Sequence, residues 1–197
     1  MIIARNSKLR FENINDSEYK YEVRNWRNQE FVRKNMINST EISTEQHEAY
    51  LNMLKISESQ RVYIAMLDEQ PIAIMTFRIC KDKNKIVSGS YLIKEEYLGK
   101  GFGALLGYVR MEYIFNKLPN GKMSTLVMQS NRKNLQLQKD FGCRVSNEED
   151  FVRENGYKDK LITLEMTHKE WLSKKPMIER AIGRLISLEN ISLILED

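Results

Sequence analysis

One stretch limits the fold more than any other. A β-prone run ending at Tyr91-Leu92-Ile93 leads to Leu98-Gly99-Lys100-Gly101-Phe102-Gly103-Ala104, and from there apolar residues recur at helical spacing: Phe102, Leu105, Leu106, Val109 and Tyr113. Glycines at alternate positions let the backbone turn sharply and lie close to a ligand. The first amides of the following helix have no carbonyl partner inside it, so with the helix dipole and the charge of Lys100 they attract an anion such as phosphate. A Walker loop would need Lys-Ser or Lys-Thr after its last glycine. A Rossmann turn would open a βαβ unit, whereas this turn follows a group of antiparallel strands.

The elements around this turn are legible from periodicity and punctuation. A first strand near Leu9 to Ile14 precedes a helix that Asp16 or Ser17 can cap and that runs toward Trp26, with a second helical stretch around Asn28 to Lys34. Ser43 and Gln46 have capping-box spacing, and Tyr50, Leu51 and Leu54 follow at helical period with His47 on the same face. Arg61 to Leu67, Pro71 to Ile79 and Ile86 to Ile93 read as antiparallel strands. After the helix over 101–117, Ser124 to Gln129 is a strand, Asn131 to Phe141 a helix ending at Gly142, and Asn155-Gly156 signals a hairpin. Beyond Trp171, residues Ile178, Ile182, Leu185, Ile186 and Glu189 share one helical face, which either packs on its own domain or forms a homodimer contact.

This order predicts an α/β fold, with a mixed, mostly antiparallel central sheet flanked by helices. Its length of 197 residues suits one domain, expected over 1–170 with a C-terminal amphipathic helical extension over 171–197. The formal charge of +4 is spread along the chain, which speaks against a nucleic-acid partner and leaves room for an anionic small molecule. No run approaches a membrane span, the start lacks the pattern of a secretory signal, and Cys80 and Cys143 are isolated. The expectation is a cytoplasmic protein with buried free thiols, no metal and no membrane partner.

The turn at Leu98 to Ala104 resembles the acetyl-CoA motif of the GNAT superfamily, although Leu98 stands where that pattern has Arg or Gln. Asn131, Leu137 and Gly142 resemble the family's second motif, Asn-x-x-Ala-x-x-Leu-Tyr-x-Lys-x-Gly-Phe. The resemblance spans roughly residues 8 to 168 and implies an N-acetyltransferase with acetyl-CoA as co-substrate. It implies CoA contacts at Leu98, Gly99, Lys100, Gly101, Phe102, Gly103, Ala104, Asn131, Asn134 and Gln138. It further implies a bulged strand before the turn, with the backbone amides of Leu92 and Ile93 on the thioester. Gln138 stands where the family places a tyrosine acid; a carboxamide cannot act as an acid near neutral pH, but it can orient a thiolate. His47 is the candidate base, or else a packed helix histidine. Glu95 and Glu96 are fallback bases acting through water, or ordinary solvated residues.

Trp26-Arg27-Asn28, Met36 and Ile42-Ser43 with His47 are similar to a subgroup that includes ribosomal-protein and amino-sugar N-acetyltransferases. The closer likeness is to the pseudaminic-acid pathway enzymes that acetylate the 4-amine of a UDP-linked 4-amino-4,6-dideoxy sugar. That likeness implies Arg27, Met36, His47 and Tyr91 as substrate contacts. Two other readings stay open: acetylation of a protein N-terminus, and a CoA-binding module without catalysis.

Overall fold

The β-branched runs in the first half of the chain build a four-stranded antiparallel half-sheet. In the computed structural model, which describes residues 3–153 and 156–192, it comprises β1 (Leu9–Asn13), β2 (Gln60–Leu67), β3 (Gln70–Cys80) and β4 (Lys85–Leu92). A second half-sheet holds β5 (Lys122–Met128), β6 (Arg144–Val152) and β7 (Lys158–Thr167), with β7 between the other two. The order across the seven strands is β1-β2-β3-β4-β5-β7-β6, and β4 with β5 is the parallel pair. This matches the mixed, mostly antiparallel α/β layout expected. The β6–β7 hairpin is present and Gly156 takes φ +79°, while Asn155 lies outside the described residues.

Helices cover both faces. The long apolar helix α4 (Phe102–Lys117) lays Tyr113 against Tyr63 of β2 and Phe77 of β3, with ring centroids 6.0 and 4.4 Å away. On β4, Tyr91 points to the opposite face from Ser88, which pairs with Phe77, because side chains alternate along a strand. That second face carries α1 (Glu22–Asn28), α2 (Glu30–Arg33) and α3 (Thr44–Ile56). Both halves of the capping box form at α3, and Leu51 and Leu54 are buried. The first helix begins later than expected: Ser17 accepts from Tyr19 N–H and donates to Glu12, so its hydroxyl serves a turn, and α1 starts at Glu22 without a side-chain cap.

Two further helices fix the back of the molecule. α5 (Arg132–Phe141) is capped by the Asn131 side chain and ends at Gly142, φ +96°. It approaches α4 closely because Gly103 and Gly107 face it: a Cβ on Gly103 would stand 3.3 Å from Leu137, and one on Gly107 2.8 Å from Phe141. α6 (His168–Ile182) buries Trp171, whose indole N–H donates to Glu112 on α4 at 2.8 Å, while Lys175 reaches the same carboxylate at 2.7 Å. The helix expected to run on through Glu189 stops at Ile182. The chain turns at Gly183, buries Ile186, and Ile191 joins β1 beside Leu9, so the apolar residues of this tail enter the main core. Both cysteines are free thiols; Cys143 is buried and Cys80, contrary to expectation, half-exposed at the end of β3. Among the described residues no helix is long and apolar enough to cross a membrane.

Candidate active site

The site begins where two strands part. β4 and β5 are paired only through Lys85–Lys122, Ile86–Met123 and Val87–Ser124, yet β4 continues to Leu92 and β5 to Met128. Their unpaired ends flank a slot that, at the ordinary rise per residue, is about 16 Å long. Ile93 N–H donates to Ile72 O of β3 at 3.1 Å. By the alternation of an antiparallel ladder, the backbone groups of Leu92 and Ser90 therefore face away from β3, into the slot.

The slot leads to the glycine turn. Tyr97 and Phe102 are both buried with ring centroids 5.2 Å apart, so the loop is anchored at each end and its backbone is left outward. Leu98 N–H bonds to Glu95 O, Gly99 takes φ +77° and Gly101, the N-cap of α4, takes φ +88°. No side chain caps this helix. Among the described residues the amides of Phe102, Gly103 and Ala104 have no backbone acceptor, the first being Leu105 N–H to Gly101 O. Lys100 is exposed beside them. The result is an anion cradle at the mouth of a slot lined by strand edges.

On the second face lies a cluster of polar and aromatic side chains. Gln29, between α1 and α2, donates to Ile93 O at 2.8 Å and ties these helices to the end of β4. Arg27 donates to Asn38 O, and its Nη1 is buried with no partner among the described residues. Burial draws the Arg27 guanidinium below its ordinary value, and the adjacent Tyr91 phenol pushes the other way. Burial raises the Tyr91 phenol well above the usual range, with Arg27 opposing and Tyr50 adding to it. Beside them is a pocket of about 280 Å³ lined by Asn38, Thr40, Ile42, Gln46, His47 and Tyr50. Across the sheet, Arg153 at the end of β6 pairs with Asp159 at 3.2 Å and donates to Lys34 O at 2.8 Å, bridging the second half-sheet to the end of α2. A larger depression of about 630 Å³ around Glu58 and Arg78 to Lys83 sits at the other end of β3 and β4, away from the slot.

No protein-family model matches the chain, and no curated protein does. Solved structures do match. The Campylobacter jejuni N-acetyltransferase PseH, in complex with acetyl coenzyme A, superposes with a TM-score of 0.60 at 20% identity, over 81% of this chain and 98% of that one. The spermidine N-acetyltransferase of Vibrio cholerae, with CoA and spermine, gives 0.73 at 18% identity over 84% and 98%. The aminoglycoside acetyltransferase AAC(6')-Ib, with coenzyme A, gives 0.69 at 19% identity over 86% and 99%. The fold is the GNAT fold.

Within the GNAT fold the expected residues divide. Leu98 to Ala104 form the cradle, and Leu92 presents its amide to the slot. Ile93 does not, because its N–H is spent on β3; β4 runs in unbroken register, and the bulge of this half-sheet lies between β2 and β3, at Ala65 and Met66. Gln138 is not placed to orient a leaving group: it is 3% exposed, its carbonyl accepts from Arg110 at 2.8 Å and its amide donates to Asn134 at 2.9 Å. His47 is engaged through one ring nitrogen. It is buried, and its Nε2 lies 2.7 Å from Lys20 O; a carbonyl only accepts, so that nitrogen carries the hydrogen and the basic lone pair of the neutral ring is on Nδ1. His47 thereby ties α3 to the turn before α1, and only its Nδ1 could serve as a base. Glu95 and Glu96 are exposed on a short helical turn entering the cradle. Arg27, Tyr91 and the pocket beside His47 come together, with Met36 half-buried in the loop that carries Asn38. Arg110 and Arg153 escaped the sequence reading, which took Tyr50 as an apolar helix position only. Only Arg110 had a legible signal, a cation on the apolar stripe of α4.

Proposed function

We propose that this protein transfers an acetyl group from acetyl-CoA to the amine of a nucleotide-linked amino sugar, the 4-amine of a UDP-4-amino-4,6-dideoxy sugar being the favoured acceptor. The observation that carries the reading is the slot between β4 and β5 opening onto the unpaired amides of Phe102 to Ala104. An extended thioester arm with a diphosphate at one end needs those two features in that order. Structures with the same fold hold CoA or acetyl-CoA, which supports the choice of ligand.

Acetyl-CoA would supply an acyl carbon already activated as a thioester. The chain's part is to aim Leu92 N–H at the carbonyl oxygen, where negative charge grows as the amine attacks, and to exclude water along the strand edges. No tyrosine acid is required, since an alkyl thiol with a pKa of about 8.5 leaves tolerably as thiolate.

The choice of acceptor rests on Arg27. A guanidinium with an unused, buried N–H beside a phenol suits a phosphate and opposes a polycation such as a polyamine. Among the described residues no carboxylate lines the pocket beside it, which disfavours a cationic peptide N-terminus. The test is release of free CoA across a panel of UDP-4-amino sugars, peptide N-termini, spermidine and aminoglycosides. Turnover confined to the nucleotide sugars is expected; tight acetyl-CoA binding without turnover on any amine would return the protein to a binding module.

A further inference from the structure

Arg110 is 2% exposed, forms no ion pair among the described residues, and has an Nε without a partner. Burial holds its guanidinium below the ordinary value, with Cys143 opposing. A lone buried cation is costly unless its charge is used. Here it is passed along two carboxamides in series. Arg110 Nη2 donates to Gln138 Oε1 at 2.8 Å, and Gln138 Nε2 donates to Asn134 Oδ1 at 2.9 Å. The amide orientations are forced, because arginine can only donate: Gln138 must present its oxygen to Arg110, and Asn134 must present its oxygen to Gln138. The free end of the chain is Asn134 Nδ2, which has no hydrogen bond to a described residue. Asn134 is half-buried on the first turn of α5, which starts three residues after Gln129, the position level with Leu92 by the β4–β5 register, so this end lies at the mouth of the slot on the side across from Leu92.

We infer that Arg110, Gln138 and Asn134 form a polarised donor chain whose terminal N–H stabilises the CoA thiolate as it leaves. This rests on the acetyl-CoA reading above. In the step, the amine lone pair forms the C–N bond and the C–S pair withdraws onto sulfur. The amine proton passes to solvent, and Asn134 donates a hydrogen bond without losing a proton. Asn134 would touch the sulfur; Gln138 and Arg110 are positioning residues that hold its polarity.

The test uses CoA itself, so it does not depend on the acceptor. Calorimetry first establishes that the parent binds CoA; the bound thiol is then titrated through the ultraviolet absorption of its thiolate. The parent should hold the thiol about one unit below its value in free CoA. Asn134→Ala should abolish that shift. Gln138→Glu is the decisive variant: it gives Arg110 a carboxylate, so thermal stability is kept or raised. A carboxylate cannot donate, however, and Asn134 must turn its N–H inward and its oxygen outward. The thiol should then titrate at or above its free value, and kcat should fall about tenfold or more with KM little changed. A parent that binds CoA with its thiol titrating as in free solution, or a Gln138→Glu protein with parental titration or a loss confined to KM, overturns the donor chain and leaves the acetyl-CoA reading intact. A parent that does not bind CoA overturns both.

Discussion

At Gly101 a methyl group would meet two obstacles, and Gly99 separates them. Both residues have left-handed φ, +88° and +77°, where an L side chain costs about 1–2 kcal/mol. At Gly99 the added Cβ meets nothing within 4 Å, whereas at Gly101 it would stand 2.7 Å from Leu185 Cδ1. Gly99→Ala should therefore lower stability by that backbone cost alone. Gly101→Ala should also shift the start of α4 and weaken CoA binding at least about tenfold, a difference that calorimetry resolves. His47→Ala should cost about 1–3 kcal/mol through the lost bond to Lys20 O, with the shape of the kcat–pH profile unchanged; disappearance of an acid limb would instead make its Nδ1 the base. The cradle glycines were legible because a left-handed turn leaves few other choices. Gln138 was misread because residue type says what a side chain could do, and the partner that occupies it, Arg110, comes from another element.

Between elements, the Arg153–Asp159 pair is the most informative contact. Both side chains are nearly buried, at 7% and 3% exposure, and the pair is completed by Ser130 Oγ and Lys34 O. Burial alone would raise the Asp159 carboxyl. The hydrogen bonds from Ser130, the Lys160 amide and Arg153 outweigh it and hold the group below its ordinary value of 3.8. A carboxylate depressed in the folded state contributes stability that is complete above its unfolded value and is lost as pH falls through the folded one. Asp159→Ala should thus lose about 3–5 kcal/mol near neutral pH. The gap to the parent in denaturation midpoint should stay level down to the ordinary carboxylate range and narrow below it. A gap unchanged in strong acid would mean that the charge on Asp159 contributes nothing. The elements themselves were readable where chemistry is local, as in the Ser43–Gln46 box of α3 and the Asn131 and Gly142 ends of α5. The late start of α1 was not, because Ser17 is drawn off by Glu12 on β1, and the tail helix ended early because Leu185 and Ile186 are claimed by the cradle and the core.

For the whole molecule, the two half-sheets share three residue pairs between β4 and β5, with helices behind them, while each half is internally paired along its length. A ligand in the slot would touch both halves and complete a junction that the backbone leaves open. Binding to the folded state alone adds about 2.7 kcal/mol at a hundredfold excess over Kd. Acetyl-CoA should therefore raise the melting temperature, with hydrogen exchange showing where the gain falls. Slowing is expected at the amides of Phe102 to Ala104, at Ser90 and Leu92, and along β5 beyond Ser124, with β1 and β2 little changed. Protection limited to the cradle would mean that the ligand sits on the phosphate site without entering between the strands. In that case the thioester would lie outside the reach of Leu92, and the slot would need another occupant.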